Sequence, residues 1–220
     1  MLSDREHAIA AAATLVSHFP SLSGLAARYR TVGRRVILYA GTFEPYQGLE
    51  LLVDAAPTVV CAKPNTAFLC LGGYEAQIAD LRGRARDNRV EEYFIFPGMV
   101  PAEAVEGHFA LADILVSPRV SGINTPLKVY SYLRSGVPIL ATNIRSHTQV
   151  LDSAVALLVE PHAEAVAAGI LRLLEDGDLC RWLAHNALKL GQDKFSGEAY
   201  YAKVAEVYAF LEARKAPRGS

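Results

Sequence analysis

Arg119 and Lys128 flank the loop Ser121-Gly122-Ile123-Asn124-Thr125-Pro126-Leu127, which leads from an apolar strand into an amphipathic helix. Two cations beside a glycine-bearing loop and a helix start are the parts of an anion site. The helix start offers main-chain N–H groups without partners and the positive end of the helix dipole, and the cations add charge. Pro126 suits the first helical turn, where its missing N–H costs nothing, and Thr125 or Asn124 can cap the amides in front of it. Arg119, Gly122, Ile123, Asn124, Thr125, Pro126, Leu127 and Lys128 are therefore candidate phosphate-binding residues. For either cation alone a solvated surface role competes; the pair at one helix start favours binding.

Two further loops follow apolar strands. Gly41-Thr42-Phe43-Glu44-Pro45-Tyr46-Gln47-Gly48 lacks the G-x-G-x-x-G pattern, which argues against an ordinary NAD or FAD site. Its competing reading is a turn whose last glycine caps the next helix. The pair Gly72-Gly73 permits close approach of a ligand to the backbone. His7, His18, His108, His162 and His185 fall on expected helices or their ends without partners at metal or triad spacing, so packing or surface roles are favoured. His147 follows the fifth strand, and a direct role is not favoured for it either.

The elements that must position these loops alternate. Apolar strands are expected at Val36–Ala40, Thr66–Leu71, Glu92–Phe96, Asp113–Ser117, Pro138–Thr142 and Ala154–Val159. Helical stretches separate them at Leu49–Ala62, Glu75–Arg86, Pro101–Ala112, Pro126–Ser135 and Ser146–Leu151. Continuously apolar strands alternating with helices imply an α/β fold: a doubly wound, Rossmann-like, six-stranded parallel sheet with helices on both faces. Ligands of such sheets bind at the carboxyl ends of the strands, where the three loops meet. The expected organisation is an N-terminal helix (4–18) and connection over 1–34, the Rossmann-like domain over 35–195, an amphipathic helix over 196–214 and a disordered tail over 215–220. The last helix carries Tyr200, Tyr201, Val204, Val207, Tyr208 and Leu211, too apolar a set to lie wholly in water, so a partner surface is expected.

Composition narrows the function. The chain has 220 residues with 22 basic against 23 acidic and a net charge of −1, so no global field draws it to nucleic acid or an anionic membrane. Cys61, Cys70 and Cys180 show neither zinc nor disulfide spacing and read as buried, reduced thiols of a cytoplasmic protein. No apolar run reaches the ~20 residues that span a bilayer. Asp4 and Glu6, in a Ser-x-x-Glu capping box, argue against a signal peptide at the apolar start.

The run from Ser117 to Thr142, with N-T-P-L-K-V-Y-S-Y-L ahead of a Gly-Val-Pro strand, resembles the donor-binding motif of group 1 retaining glycosyltransferases of the GT-B fold. The resemblance extends from about Arg35 to about Phe195 and takes in Gly41–Gly48 and Gly72-Gly73. It implies the C-terminal half of that fold, which binds a nucleoside-diphosphate sugar without a further cofactor, the acceptor-binding half not being in this sequence. It also places Thr42 and Gln47 where the family usually has an arginine and a lysine aimed at the diphosphate, and Ile123 and Ser131 where it commonly has two glutamates. Ser131 can still hydrogen-bond a ribose, whereas Ile123 can offer only its backbone. Two functions stay open: the donor half of a transferase, inactive by itself, or a non-catalytic nucleotide-binding module or subunit of a split enzyme. The partners implied are a nucleotide sugar and either a separate N-terminal half or a second copy through the terminal helices.

Overall fold

The computed structural model describes residues 21–215. The expected opening helix over 4–18, its capping box, His7, His18 and the tail 216–220 lie outside the described residues.

In chain order the elements are α1 (Leu22–Arg28), β1 (Arg35–Ala40), α2 (Leu49–Ala62), β2 (Thr66–Leu71), α3 (Glu75–Asp87), β3 (Phe94–Gly98), α4 (Ala102–His108), β4 (Ile114–Ser117), α5 (Lys128–Leu133), β5 (Ile139–Thr142), α6 (Arg145–Thr148), β6 (Leu157–Val159), α7 (Ala163–Glu175), α8 (Gly177–Phe195) and α9 (Gly197–Lys215). Among the described residues six strands join one sheet in the order β3-β2-β1-β4-β5-β6, every pair parallel. That is the Rossmann-like order, with its reversal between β1 and β4.

Strand alternation divides the core. Ile37, Tyr39, Phe68, Cys70, Ile114 and Val116 face a layer built from α2, α3 and α7; Val36, Leu38, Ala40, Leu69, Leu71 and Leu115 face α1, α5 and part of α8. Successive side chains point to opposite faces and both faces are covered, so the strands read as unbroken apolar runs. Ile37, Leu38, Leu69 and Ile139 are wholly buried, each contributing about 1.5–3 kcal/mol of hydrophobic stabilisation. Among the described residues no helix is long and apolar enough to cross a membrane.

Several boundaries differ from expectation because a local main-chain turn wins over the strand or helix. Glu91–Tyr93 form a 3₁₀ turn, with the Tyr93 N–H on the Val90 carbonyl at 3.0 Å, so β3 starts at Phe94 and runs on to Gly98. Val155 and Ala156 donate to the Asp152 carbonyl at 3.2 and 3.1 Å, which delays β6 to Leu157. The fourth helix gives way to a 3₁₀ turn at Phe109–Leu111. The sixth closes at Thr148, after which Val150 and Leu151 both donate to the His147 carbonyl. Of the three thiols only Cys70 is buried; Cys61 is exposed on α2 and Cys180 is intermediate. α9 packs on α8 and leaves Val207 and Tyr208 exposed.

Candidate functional site

β1 pairs with β4 only through Ile37–Ile114 and Leu38–Leu115. Beyond them the strands part, and their polar groups need other partners. Tyr132 on α5 supplies one: its hydroxyl accepts from the Ala40 N–H at 3.0 Å and donates to the Val116 carbonyl at 3.4 Å. The ring is completely buried, and burial pushes its phenol well above the ordinary range, so the hydroxyl keeps its proton. This clasp anchors α5 in the crevice and sets Lys128, one turn earlier on the same face, at its mouth.

The Lys128 ammonium donates to Gln47 Oε1 at 3.0 Å and sits 3.7 Å from the centroid of the Tyr39 ring. It also lies against Gly41, where a β-carbon would come within 2.7 Å of Nζ. No carboxylate pairs with it among the described residues. Burial first, and then the positive charge of Arg119, hold its pKa well below the ordinary lysine value. A neutral amide oxygen and a ring face are weak compensation for a desolvated cation. Gln47 is itself buried, with Nε2 3.5 Å from the Thr42 hydroxyl oxygen, so Thr42, Gln47 and Lys128 form one polar chain along the first loop.

Arg119 departs from expectation. Only 9% exposed, it donates from Nε to the Ser121 carbonyl at 2.6 Å and from Nη1 to the Asn124 carbonyl at 3.2 Å, with its guanidinium against Gly122. Tyr46 lies beneath it, ring centroid 5.0 Å away. The loop's carbonyls turn inward and need donors, so this arginine braces its own loop and reaches the site through its field on Lys128.

The helix start is also corrected. α5 begins at Lys128 and ends at Leu133, shorter at both ends than the expected Pro126–Ser135, and Leu127 stands at the cap position without a side-chain hydrogen bond. Pro126 and Leu127 instead form a tighter turn, their carbonyls accepting from Val129 and Tyr130 at 3.0 and 3.1 Å. The Thr125 hydroxyl caps nothing; it lies 3.3 Å from Gln149 Oε1, while Gln149 Nε2 donates to the Ile123 carbonyl at 2.7 Å. Gln149, not singled out in the sequence, thus pins the loop. Ile123 and Leu127 point to solvent, 77% and 83% exposed. Ser131 accepts from Arg134 at 3.4 Å.

The paired glycines serve a contact within the chain as well. A β-carbon on Gly72 would overlap the Gly41 carbonyl, and one on Gly73 the Phe43 ring. Their positive φ values, +118° and +77°, and missing side chains let the first two loops close on each other. Beside that contact a cleft of about 240 Å³ opens, lined by Gly41, Thr42, Leu71, Gly72, Met99 and Val100 among others. It is apolar and ends at Gly41, against which the Lys128 ammonium lies. A larger cavity of about 560 Å³ lies along α3 and the end of β3, reaches Gly73 and Met99, and is lined by neither Arg119 nor Lys128.

His147 is the residue whose importance the sequence understated. It is wholly buried, with Nδ1 2.9 Å from the Thr142 carbonyl and Nε2 2.9 Å from Ser117 Oγ. A carbonyl only accepts, so Nδ1 carries the hydrogen, and Nε2 accepts from the Ser117 hydroxyl. The Thr142 hydroxyl in turn donates to the Arg119 carbonyl. The imidazole therefore ties the ends of β4 and β5 together under the loop. Burial, followed by Lys128 and Arg119, lowers its pKa from 6.5 to about 4 against the opposing pull of the Thr142 carbonyl, which keeps it neutral. His108 has the packing role expected, with Nδ1 donating to the Ala104 carbonyl at 2.8 Å and Nε2 3.1 Å from the Tyr29 hydroxyl.

Among the described residues the doubly wound sheet thus holds, at its switch point, an apolar cleft and a lysine without a carboxylate partner, the place where open α/β sheets take their ligands. The chain belongs to the group 1 glycosyltransferase family, whose model matches residues 34–176. It is 28% identical over 157 residues to a GDP-mannose-dependent alpha-(1-6)-phosphatidylinositol monomannoside mannosyltransferase of Mycolicibacterium smegmatis, an alignment covering 68% of this chain and 41% of the relative. Its fold is shared with Anabaena HepE solved with UDP and glucose, at a TM-score of 0.77 and 16% identity over 89% of this chain and 54% of that one. It is shared too with the C-terminal domain of the group 1 protein LpcC from Francisella tularensis, at a TM-score of 0.68 and 16% identity, covering 83% of this chain and 98% of that domain. The chain thus spans less than half the length of the mannosyltransferase that it matches.

Proposed function

We propose that residues 35–195 bind a nucleoside-diphosphate sugar as the donor half of a retaining glycosyltransferase. The observation that carries this is Lys128: a desolvated ammonium at the switch point, beside an apolar cleft, with no carboxylate among the described residues to neutralise it. The base and ribose occupy the cleft lined by Gly41, Gly72, Met99 and Val100, with Ser131 near the ribose. The diphosphate lies along Gly41, Thr42 and Gln47 against Lys128 and the N–H groups of Thr125, Leu127 and Lys128. As the sugar–oxygen bond breaks, charge grows on the departing diphosphate, and a fixed cation in a dry site stabilises that charge more than the ground state. Arg119 strengthens the positive potential while holding Ser121 to Asn124 in place. The match to a solved C-terminal domain over nearly all of that domain's length, and to a neighbour solved with UDP, support this reading.

The acceptor, the opposite wall of the cleft and turnover belong to a partner half, which a separate N-terminal half or a second copy meeting the exposed apolar side chains of α9 would supply. A nucleotide donor and three unpaired thiols fit a cytoplasmic location.

A non-catalytic nucleotide-binding module is the second reading. It is favoured by one observation: the positions that commonly carry acids hold Ile123, turned to solvent, and Ser131, engaged with Arg134. A thermal-shift panel of nucleoside diphosphates tests the donor site, since a ligand of the folded state raises its apparent stability. At least one should stabilise the chain, and Lys128→Ala should abolish the shift. No shift with any of them refutes both readings, whereas binding without sugar transfer on mixing with an N-terminal half leaves the module.

A further inference from the structure

The free edge of β3 borders two adjoining cavities away from Lys128. One, of about 310 Å³, is lined by Arg28, Arg30, Arg34 and Arg82, with Glu92 as its carboxylate. The other, of about 180 Å³, is largely apolar, lined by Leu25, Met99, Pro101 and Ala104 among others. They share Arg28, Tyr29 and Pro97, so one cleft passes from a basic end to an apolar end.

Four arginines meet here in a chain whose net charge is −1, so the cluster is no reflection of a basic protein. They come from separate places: the end of α1, the turn after it, the approach to β1, and α3. Arg30 is held at a φ of +53°, a conformation uncommon for a residue with a side chain, in the turn that brings the first three together. Arg34 is committed, donating to the Thr66 carbonyl at 2.5 Å and lying over the Tyr93 ring at 5.8 Å. Arg28 lies over Tyr29, 5.5 Å from its centroid. Among the described residues Arg28, Arg30 and Arg82 make no ion pair, although nearby Arg84 and Arg86 pair with Asp54 and Glu91. Like charges gathered round one concavity repel, and an anion with several acceptor oxygens removes that repulsion while using the planar donors of the guanidinium groups.

We infer that this cleft binds a phosphate group carried on a molecule with an apolar part, the phosphate among Arg28, Arg30 and Arg82 and the apolar part in the slot beside Leu25 and Ala104. Its basic end shares no residue with the proposed donor site, whereas Met99 and Val100 line both its apolar end and the donor cleft, which makes the two neighbours.

Calorimetric titration of the full chain with dioctanoyl phosphatidate below its micelle concentration, with inorganic phosphate and with dioctanoyl phosphatidylcholine tests this. Phosphatidate should bind about tenfold or more tightly than inorganic phosphate, the difference being burial of its chains. Phosphatidylcholine, whose phosphate is neutralised within the molecule, should bind weakest. Arg30→Asn with Arg82→Gln, both at exposed positions, should weaken phosphatidate by about tenfold or more at an unchanged melting midpoint. Lys128→Met should leave it unaltered. Equal binding of phosphatidate and inorganic phosphate, binding indifferent to the two arginine changes, or no binding would each overturn the inference.

Discussion

Replacing His147 by Asn removes a titrating group from the junction of β4 and β5 while leaving a side-chain N–H able to reach the Thr142 carbonyl. In the folded chain the imidazole titrates at about 4, against 6.5 in an unconstrained chain. Between those values the unfolded chain binds the extra proton and the folded one does not, so stability rises with pH through that window and falls as the solution is acidified. A separation of roughly 2.5 units corresponds to about 3 kcal/mol. Being buried and adjacent to Lys128 and Arg119, the ring has no route to solvent screening in the folded state. Urea denaturation of both proteins at pH 7, 5.5 and 4 measures the effect. The wild type should be the more stable at pH 7, and its advantage should shrink by about 3 kcal/mol by pH 4. Parallel stability curves for the two proteins across that range would refute the buried neutral imidazole and the network built on it.

Removing the Tyr132 hydroxyl with Phe leaves the Ala40 N–H without its partner in the crevice, which should cost about 1–3 kcal/mol in denaturation and weaken nucleotide binding by loosening α5. Gly72→Ala drives a β-carbon into the Gly41 carbonyl and should destabilise the chain by more than about 1 kcal/mol, with the melting midpoint as the measure. Lys128 titrates below the ordinary 10.5 because the folded chain disfavours its charged form, so its contribution to stability rises with pH between the depressed value and 10.5. A bound diphosphate reverses that preference. Nucleotide binding should therefore take up a proton at alkaline pH, read by calorimetry in buffers of different ionisation heat, and pH-independent affinity there would count against it.

The sheet was legible because its strands are apolar without interruption: Val36 to Ala40 and Thr66 to Leu71 can be buried on both faces and tolerated nowhere else. Boundaries slipped where a main-chain turn competed, as at Glu91–Tyr93 and after Asp152. In the candidate site, the position of Lys128 in the first turn of its helix could be read from the residues before it. The fold-back of Arg119 onto Ser121 and Asn124 could not, since it depends on which way the loop's carbonyls face. Tyr132 and His147 were hidden for a related reason. Their partners, Ala40 and Ser117, stand 92 and 30 positions away, and only strand order brings them together. A tyrosine in Ser131-Tyr132-Leu133 and a histidine in Ser146-His147-Thr148 carry no sign of those partners until that order is known.

The most direct measurement compares a nucleoside with its own diphosphate, for uridine and for guanosine, in the wild type and in Lys128→Met. Methionine keeps the length of the side chain and removes the charge. In the wild type the diphosphate of the preferred base should bind about tenfold or more tightly than the nucleoside, the increment of a charge-assisted contact. In the variant that ratio should fall toward one while the nucleoside binds as before. An unchanged ratio would mean that the phosphates lie elsewhere, and that Lys128 is a structural cation with no part in holding a donor.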